Sequence, residues 1–163
     1  MSMNTYPFKE TGAFLVDEEV AAYIILAADR ACKMVPAEIE ALLNSGEFAA
    51  LAKDGKLPCD YSDTSTALDS FRDLGGEMCF CSEFEGEAHS IFDDELDSER
   101  SWSTDILCYM PAAREPELFR AVYLDPRELI DEHKNAFDDA GVVLPEDFNW
   151  KSHIVYIEGT YCC

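Results

Sequence analysis

The chain of 163 residues carries 34 acidic against 12 basic side chains, a formal net charge of −22. Hydrophobic residues make up 48% and aromatic residues 12%, which excludes a disordered composition and suits one globular domain over residues 1–163. A chain this long buries roughly 70% of its unfolded surface on folding, so staples are not required. The charge argues against direct binding of nucleic acid or an anionic membrane and favours a basic protein surface as partner.

The first half reads as helical. Asp17 has the chemistry of an N-cap, and Glu18 and Glu19 suit the positive end of the helix dipole that follows. Val20, Tyr23, Ile24, Ala27 and Ala31 recur at helical spacing, and Ile25 and Leu26 widen the apolar face. This apolar stretch is too short to span a bilayer and lacks a basic flank, so a cytoplasmic protein is expected. Pro36 suits a first helical position before Ile39, Leu42 and Leu43, and Asn44-Ser45-Gly46 stops that helix. Phe48 and Leu51 mark another turn or two. Asp63 or Thr64 starts a helix with Leu68, Phe71 and Leu74 on one side, and Gly75-Gly76 ends it.

The period then changes. Met78, Phe80 and Phe84 alternate with Cys79, Cys81 and Glu83, as in a strand. Glu85-Gly86-Glu87 reads as a hairpin turn into a second strand through Ile91-Phe92. An acidic loop follows, and residues 106–109 and 118–124 read as two more strands. Asp125-Pro126-Arg127-Glu128 combines a cap, a first-position proline and an acid three residues after the cap. Leu129, Ile130, His133, Ala136 and Phe137 form the stripe of that helix, Gly141 ends it, and residues 154–157 close the chain as a strand. The expected class is α+β: a helical N-terminal half, then a mostly antiparallel sheet of about 4–5 strands with one packed helix at about 125–140.

Acids are unevenly placed. Between Asp60 and Glu99 there are 13 acids and one base, Arg72. The densest part, Asp93-Asp94-Glu95-Leu96-Asp97-Ser98-Glu99, would place Asp93, Glu95, Asp97 and Glu99 on one side if extended, because side chains alternate along a strand. Alternate residues then lie about 6.5–7 Å apart. A row of carboxylates at that spacing can occupy a phosphate-binding groove, where phosphates follow one another at an axial rise of about 3.4 Å per strand. The competing reading is a solvated charged loop. Calcium fits poorly: counted from Asp93, Ser98 stands where an EF-hand loop needs glycine, and Thr104 where it needs glutamate. Glu83, Glu85, Glu87, Asp93, Asp94, Glu95, Asp97 and Glu99, with Trp102 as an aromatic anchor beside them, are the candidate partner-binding residues.

The seven cysteines are Cys32, Cys59, Cys79, Cys81, Cys108, Cys162 and Cys163. Their odd number and irregular spacing argue for reduced thiols. Cys79 and Cys81 with Cys108 and a histidine such as His89 could bind zinc, but there is no second close pair, and core packing is the expected role. The terminal Cys162-Cys163 pair has the look of a double-prenylation tail without a polybasic stretch before it. Among the three histidines, His133 lies on the apolar stripe of its helix and reads as structural. The phosphate loop, dinucleotide fingerprint, metalloprotease helix and nucleophile elbow are all absent from the sequence. No catalytic residue, metal or cofactor is therefore expected.

In size, acidity and lack of motifs, the chain resembles the protein inhibitors that phages and mobile elements use against host nucleases. These include anti-restriction and anti-CRISPR proteins, and bacterial immunity proteins that neutralise basic toxins are similar in character. The resemblance implies a DNA-mimic-like inhibitor or regulator of a nucleic-acid-handling protein. It carries over no individual residue. Two other readings compete: a small enzyme whose site assembles from distant residues such as Cys81, His89 or His133, and an acidic structural or scaffold domain, for instance a halophilic one.

Overall fold

The computed structural model describes residues 5–58, 60–76, 84–90, 100–102, 107–109 and 126–162. Strand β1 (Thr5–Val16) comes first, followed by helices α1 (Glu18–Ala31), α2 (Ala37–Ser45), α3 (Phe48–Lys53) and α4 (Thr64–Asp73). Strands β2 (Phe84–Ser90), β3 (Arg100–Trp102) and β4 (Leu107–Tyr109) come next. Helix α5 (Pro126–Asp139), the short helix α6 (Trp150–His153) and strand β5 (Ile154–Cys162) complete the described elements. Among the described residues, none of these helices is long and apolar enough to cross a membrane.

The local chemistry explains the helix ends. The Asp17 carboxylate accepts from the Val20 amide at 3.0 Å, and the Asp63 carboxylate accepts from the Ser65 and Thr66 amides at 3.0 and 3.4 Å. Each satisfies a donor that the first helical turn leaves without an internal partner. Pro36 is itself the cap residue of α2 and stands just outside the helix, with ψ near 145°. Residues Val20 to Leu26 of α1 are buried without a break, so this helix is wrapped on nearly all sides. Gly55 follows α3 with φ of +66°, and a Cβ there would lie 1.8 Å from a Glu18 carboxylate oxygen. Glycine thus allows the end of α3 to close onto the first turn of α1.

The long pairing is the two-stranded antiparallel ribbon of β1 and β5, from Thr5↔Cys162 to Phe14↔Ile154. Its register shifts between Thr11 and Ala13, which makes Gly12 the extra residue of a bulge. Pro7 lies in the part of β1 that, among the described strands, pairs with β5 alone, where a residue without an N–H is tolerated. The other side of β5 pairs with β2, and the three-residue strands β3 and β4 extend the order to β3-β2-β5-β1-β4.

The expected α+β arrangement is corrected by these elements. The described residues are mainly helical, and the sheet's spine is the single β1–β5 pair. The other described strands are short additions around that pair, and the sheet does not follow a helical half. A strand precedes all the helices, and two helices follow α4, where one was expected. Glu85-Gly86-Glu87 is not a turn: it lies inside β2, paired with Thr160, Gly159 and Glu158. The strand readings at 78–83, 91–92 and 118–124, and the Asp125 cap, lie outside the described residues.

The core is centred on Phe14, which is fully buried. Its ring stands 5.0 Å from Phe137, 5.4 Å from His133 and 5.5 Å from His153, measured between centroids. Phe71 of α4 reaches the same cluster through Phe137 at 5.2 Å. A smaller aromatic group, Tyr23, Phe48 and Tyr61, ties α1 to α3 and to the turn before α4.

Candidate functional site

Beside this core, a cleft of about 700 Å³ opens between the first turn of α1, helix α3 and the segment Pro145–His153. Asp17 and His153 both line it. They lie 136 positions apart in sequence, and the fold brings them together because one precedes α1 directly after β1 while the other precedes β5. The β1–β5 register, which seats Phe14 opposite Ile154, fixes that meeting.

His153 is buried, and its ring is held at both nitrogens. Nε2 lies 2.7 Å from Asp17 Oδ2, and Nδ1 lies 2.9 Å from the Asn149 carbonyl oxygen. A carbonyl oxygen only accepts, so that contact is a hydrogen bond when the ring carries a proton on Nδ1. Asp17 is half-exposed at a helix N-terminus and accepts from the Val20 amide. The Ser152 hydroxyl donates to the Asn149 carbonyl at 2.9 Å and lies 3.0 Å from Nδ1.

Ser152, His153 and Asp17 have the residue types of a nucleophilic triad, with the hydroxyl 3.0 Å from Nδ1 and the carboxylate 2.7 Å from Nε2. The arrangement joins α1 to α6.

Two further side chains in the cleft are perturbed. The Glu19 carboxyl is held above its ordinary range, first by burial and then by the charge of Asp17, with His153 and Lys53 opposing. The Tyr23 phenol is raised as well, first by burial and then by the charges of Glu19 and Asp147. Asp17, Glu18, Glu19 and Asp147 thus share the cleft with one lysine, Lys53.

The candidates read from sequence fall elsewhere. Glu83, Asp93, Asp94, Glu95, Asp97 and Glu99 lie outside the described residues. Glu85 and Glu87 are at alternate positions of β2, and Trp102 of β3 pairs with Gly86 between them. His133 is fully buried against Phe14, as its place on the apolar stripe implied.

Of the zinc grouping, His89 and Cys108 do not meet. Cys79 and Cys81 lie outside the described residues, while His89 is in β2 and Cys108 in β4, with β5 and β1 between them. Three strand spacings of about 4.8 Å put those backbones about 14 Å apart, too far to share one ion. Among the described residues no three His, Cys, Asp or Glu side chains converge to hold a metal.

Sequence reasoning identified Asp17 only as a cap and did not connect it to His153, and Glu19, Tyr23, Asn149 and Ser152 went without a functional role. The available signal was local: Asn149 followed by Ser152 is the spacing of a cap, fulfilled by the Asn149 side chain accepting from the Ser152 amide at 3.3 Å. The chain matches no protein-family model, no curated protein and no solved structure.

Proposed function

We propose that the protein is a non-enzymatic acidic binding domain that docks on the basic surface of a nucleic-acid-handling protein and inhibits or regulates it. The observation that carries this reading is the net charge of −22, concentrated so that residues 60–99 hold 13 acids and one base. Complementary charge of this kind speeds encounter and makes binding salt-sensitive. Exposed ion pairs are individually weak, so an aromatic anchor must add affinity, and Trp102, in the strand paired with β2, is the residue assigned to it. Residues 83–99 form the contact face in this reading, standing in for phosphates on the partner. The reduced-thiol pattern of the cysteines supports a cytoplasmic setting.

The test is capture from a nuclease-treated bacterial lysate at low and moderate salt. One bait is the native chain, and a second has Asp93, Glu95, Asp97 and Glu99 changed to Asn or Gln. A basic nucleic-acid-binding protein held by the first and lost by the second, with the melting temperatures of the two baits within about 2 °C, is the expected result. Equal capture by both baits overturns the assignment of the face.

The cleft favours a second reading, a small enzyme, because a buried histidine paired with a carboxylate in an open concavity is a common catalytic arrangement. Its acid-base group is His153 with Asp17. His133 is closed off in the core, and His89 lies in β2. Turnover abolished by His153→Gln in a folded protein would support it.

A further inference from the structure

We propose that the cleft between α1, α3 and the segment 145–153 is a docking seat for a guanidinium, the arginine side chain of a basic partner chain. Its volume of about 700 Å³ falls in the range of roughly 300–1,000 Å³ usual for ligand sites, so a charged head and its stem both fit. Asp17 and Glu19 line it from the start of α1, and Asp147 lines it from the segment before α6, set against Lys53 of α3. Tyr23 and Phe148 are buried and also line it, and they provide apolar surface for the stem.

Three observations choose the occupant. Among the described residues no three His, Cys, Asp or Glu side chains converge to hold a metal ion, so these carboxylates stand around a space rather than around a point. A guanidinium spreads five N–H donors over a planar fork and is more weakly hydrated than an ammonium, which suits acceptors that are set apart and partly desolvated. The carboxylates also act on one another across the cleft. Glu19 is raised first by burial and then by Asp17, with a smaller push from Asp147, and Asp147 acts on Tyr23 as well. Glu19 thus keeps its charge at a cost to the fold, and an added cation between α1 and Asp147 relieves that cost. A residue that weakens the fold where it stands is expected at a functional position. The seat goes beyond the acidic face, since none of its lining residues belongs to 83–99, and it rests only on the reading that the partner is basic.

The test is a titration of the full chain, labelled with nitrogen-15 and followed by its amide shifts. One probe is acetyl-arginine amide, and the other is acetyl-citrulline amide, of the same shape without the charge. The arginine probe is expected to bind saturably, with a Kd of about 1–10 mM and shifts centred on Glu19, Tyr23 and Asp147. The citrulline probe should bind at least about tenfold more weakly. Because a net charge of −22 attracts any cation, the variants must separate place from charge. Glu19→Gln combined with Asp147→Asn should weaken the arginine probe about tenfold without lowering the melting temperature. Asp69→Asn combined with Asp131→Asn removes two exposed charges that do not line the cleft, and should change binding by less than about twofold. Equal losses in the two double variants overturn the seat, as do equal binding of the two probes and shifts that grow without saturation or centre away from the cleft. The probes need no partner protein, so this result is independent of capture through residues 83–99.

Discussion

Phe14 packs against two histidines, and the two regions around it use the same side chain in opposite ways. On the α5 side, His133 is sealed in the core and serves the packing of Phe14 and Phe137. On the α6 side, His153 is almost as deeply buried, yet its nitrogens point to Asp17 and Asn149 at the wall of an open cleft. Burial alone therefore does not separate a structural histidine from a chemical one. The acceptors at the ring nitrogens and access to a cavity do.

The comparison can be broken by substitution. Phe14→Ala removes the ring that both regions share and should have the largest effect, about 3–5 kcal/mol of lost stability in denaturant unfolding. Retention of most of the stability would show that the two regions do not depend on a common centre. Next, His153→Leu removes the donor to the Asn149 carbonyl and the partner of Asp17, and should cost about 1–3 kcal/mol. His133→Leu keeps volume in a packed core and should cost less, within about 1.5 kcal/mol. A reversed order in urea midpoints would mean that His133, not His153, holds the more important polar contacts.

The smallest expected effect sharpens the cleft side. The folded-state value of Glu19 is raised above its ordinary 4.5, so the folded chain holds that proton more tightly than the unfolded chain. The resulting stability is fully present below 4.5 and is lost as pH rises through the raised folded value. Glu19→Gln removes this dependence. The variant should therefore melt higher at neutral pH, by about 1–2 °C once solvent screening of a partly buried carboxyl is allowed for. Its melting temperature should fall less than that of the native chain as pH rises from 4.5. A lower melting temperature for the variant at neutral pH would mean that Glu19 is held by a favourable partner.

The helices were legible because their signals are local. Asp17, Asp63 and Pro126 mark starts that the structure keeps within a residue or two, and the Val20–Leu26 run is the buried helix that its apolar width implied. Strand β1 was missed because Lys9 and Glu10 interrupt its apolar pattern and the extra residue Gly12 reverses its alternation before Phe14. β2 was cut in two because Glu-Gly-Glu has turn chemistry, while its pairing with β5 is a tertiary fact that overrides it. The site was illegible for the same reason. Asp17 has a complete local explanation as a cap, and nothing near His153 in the sequence announces a carboxylate supplied from 136 positions away.

The ribbon of β1 and β5 also has a consequence for synthesis. Phe14 leaves the ribosome long before Ile154, the residue opposite it. At about 5–20 residues per second, β1 waits on the order of ten seconds for its mate. During that interval, helices α1 to α4 can form from local contacts, while a strand with open hydrogen-bonding edges is exposed to any other chain nearby. Until β5 is made, the first strand is thus where mispairing during synthesis is expected.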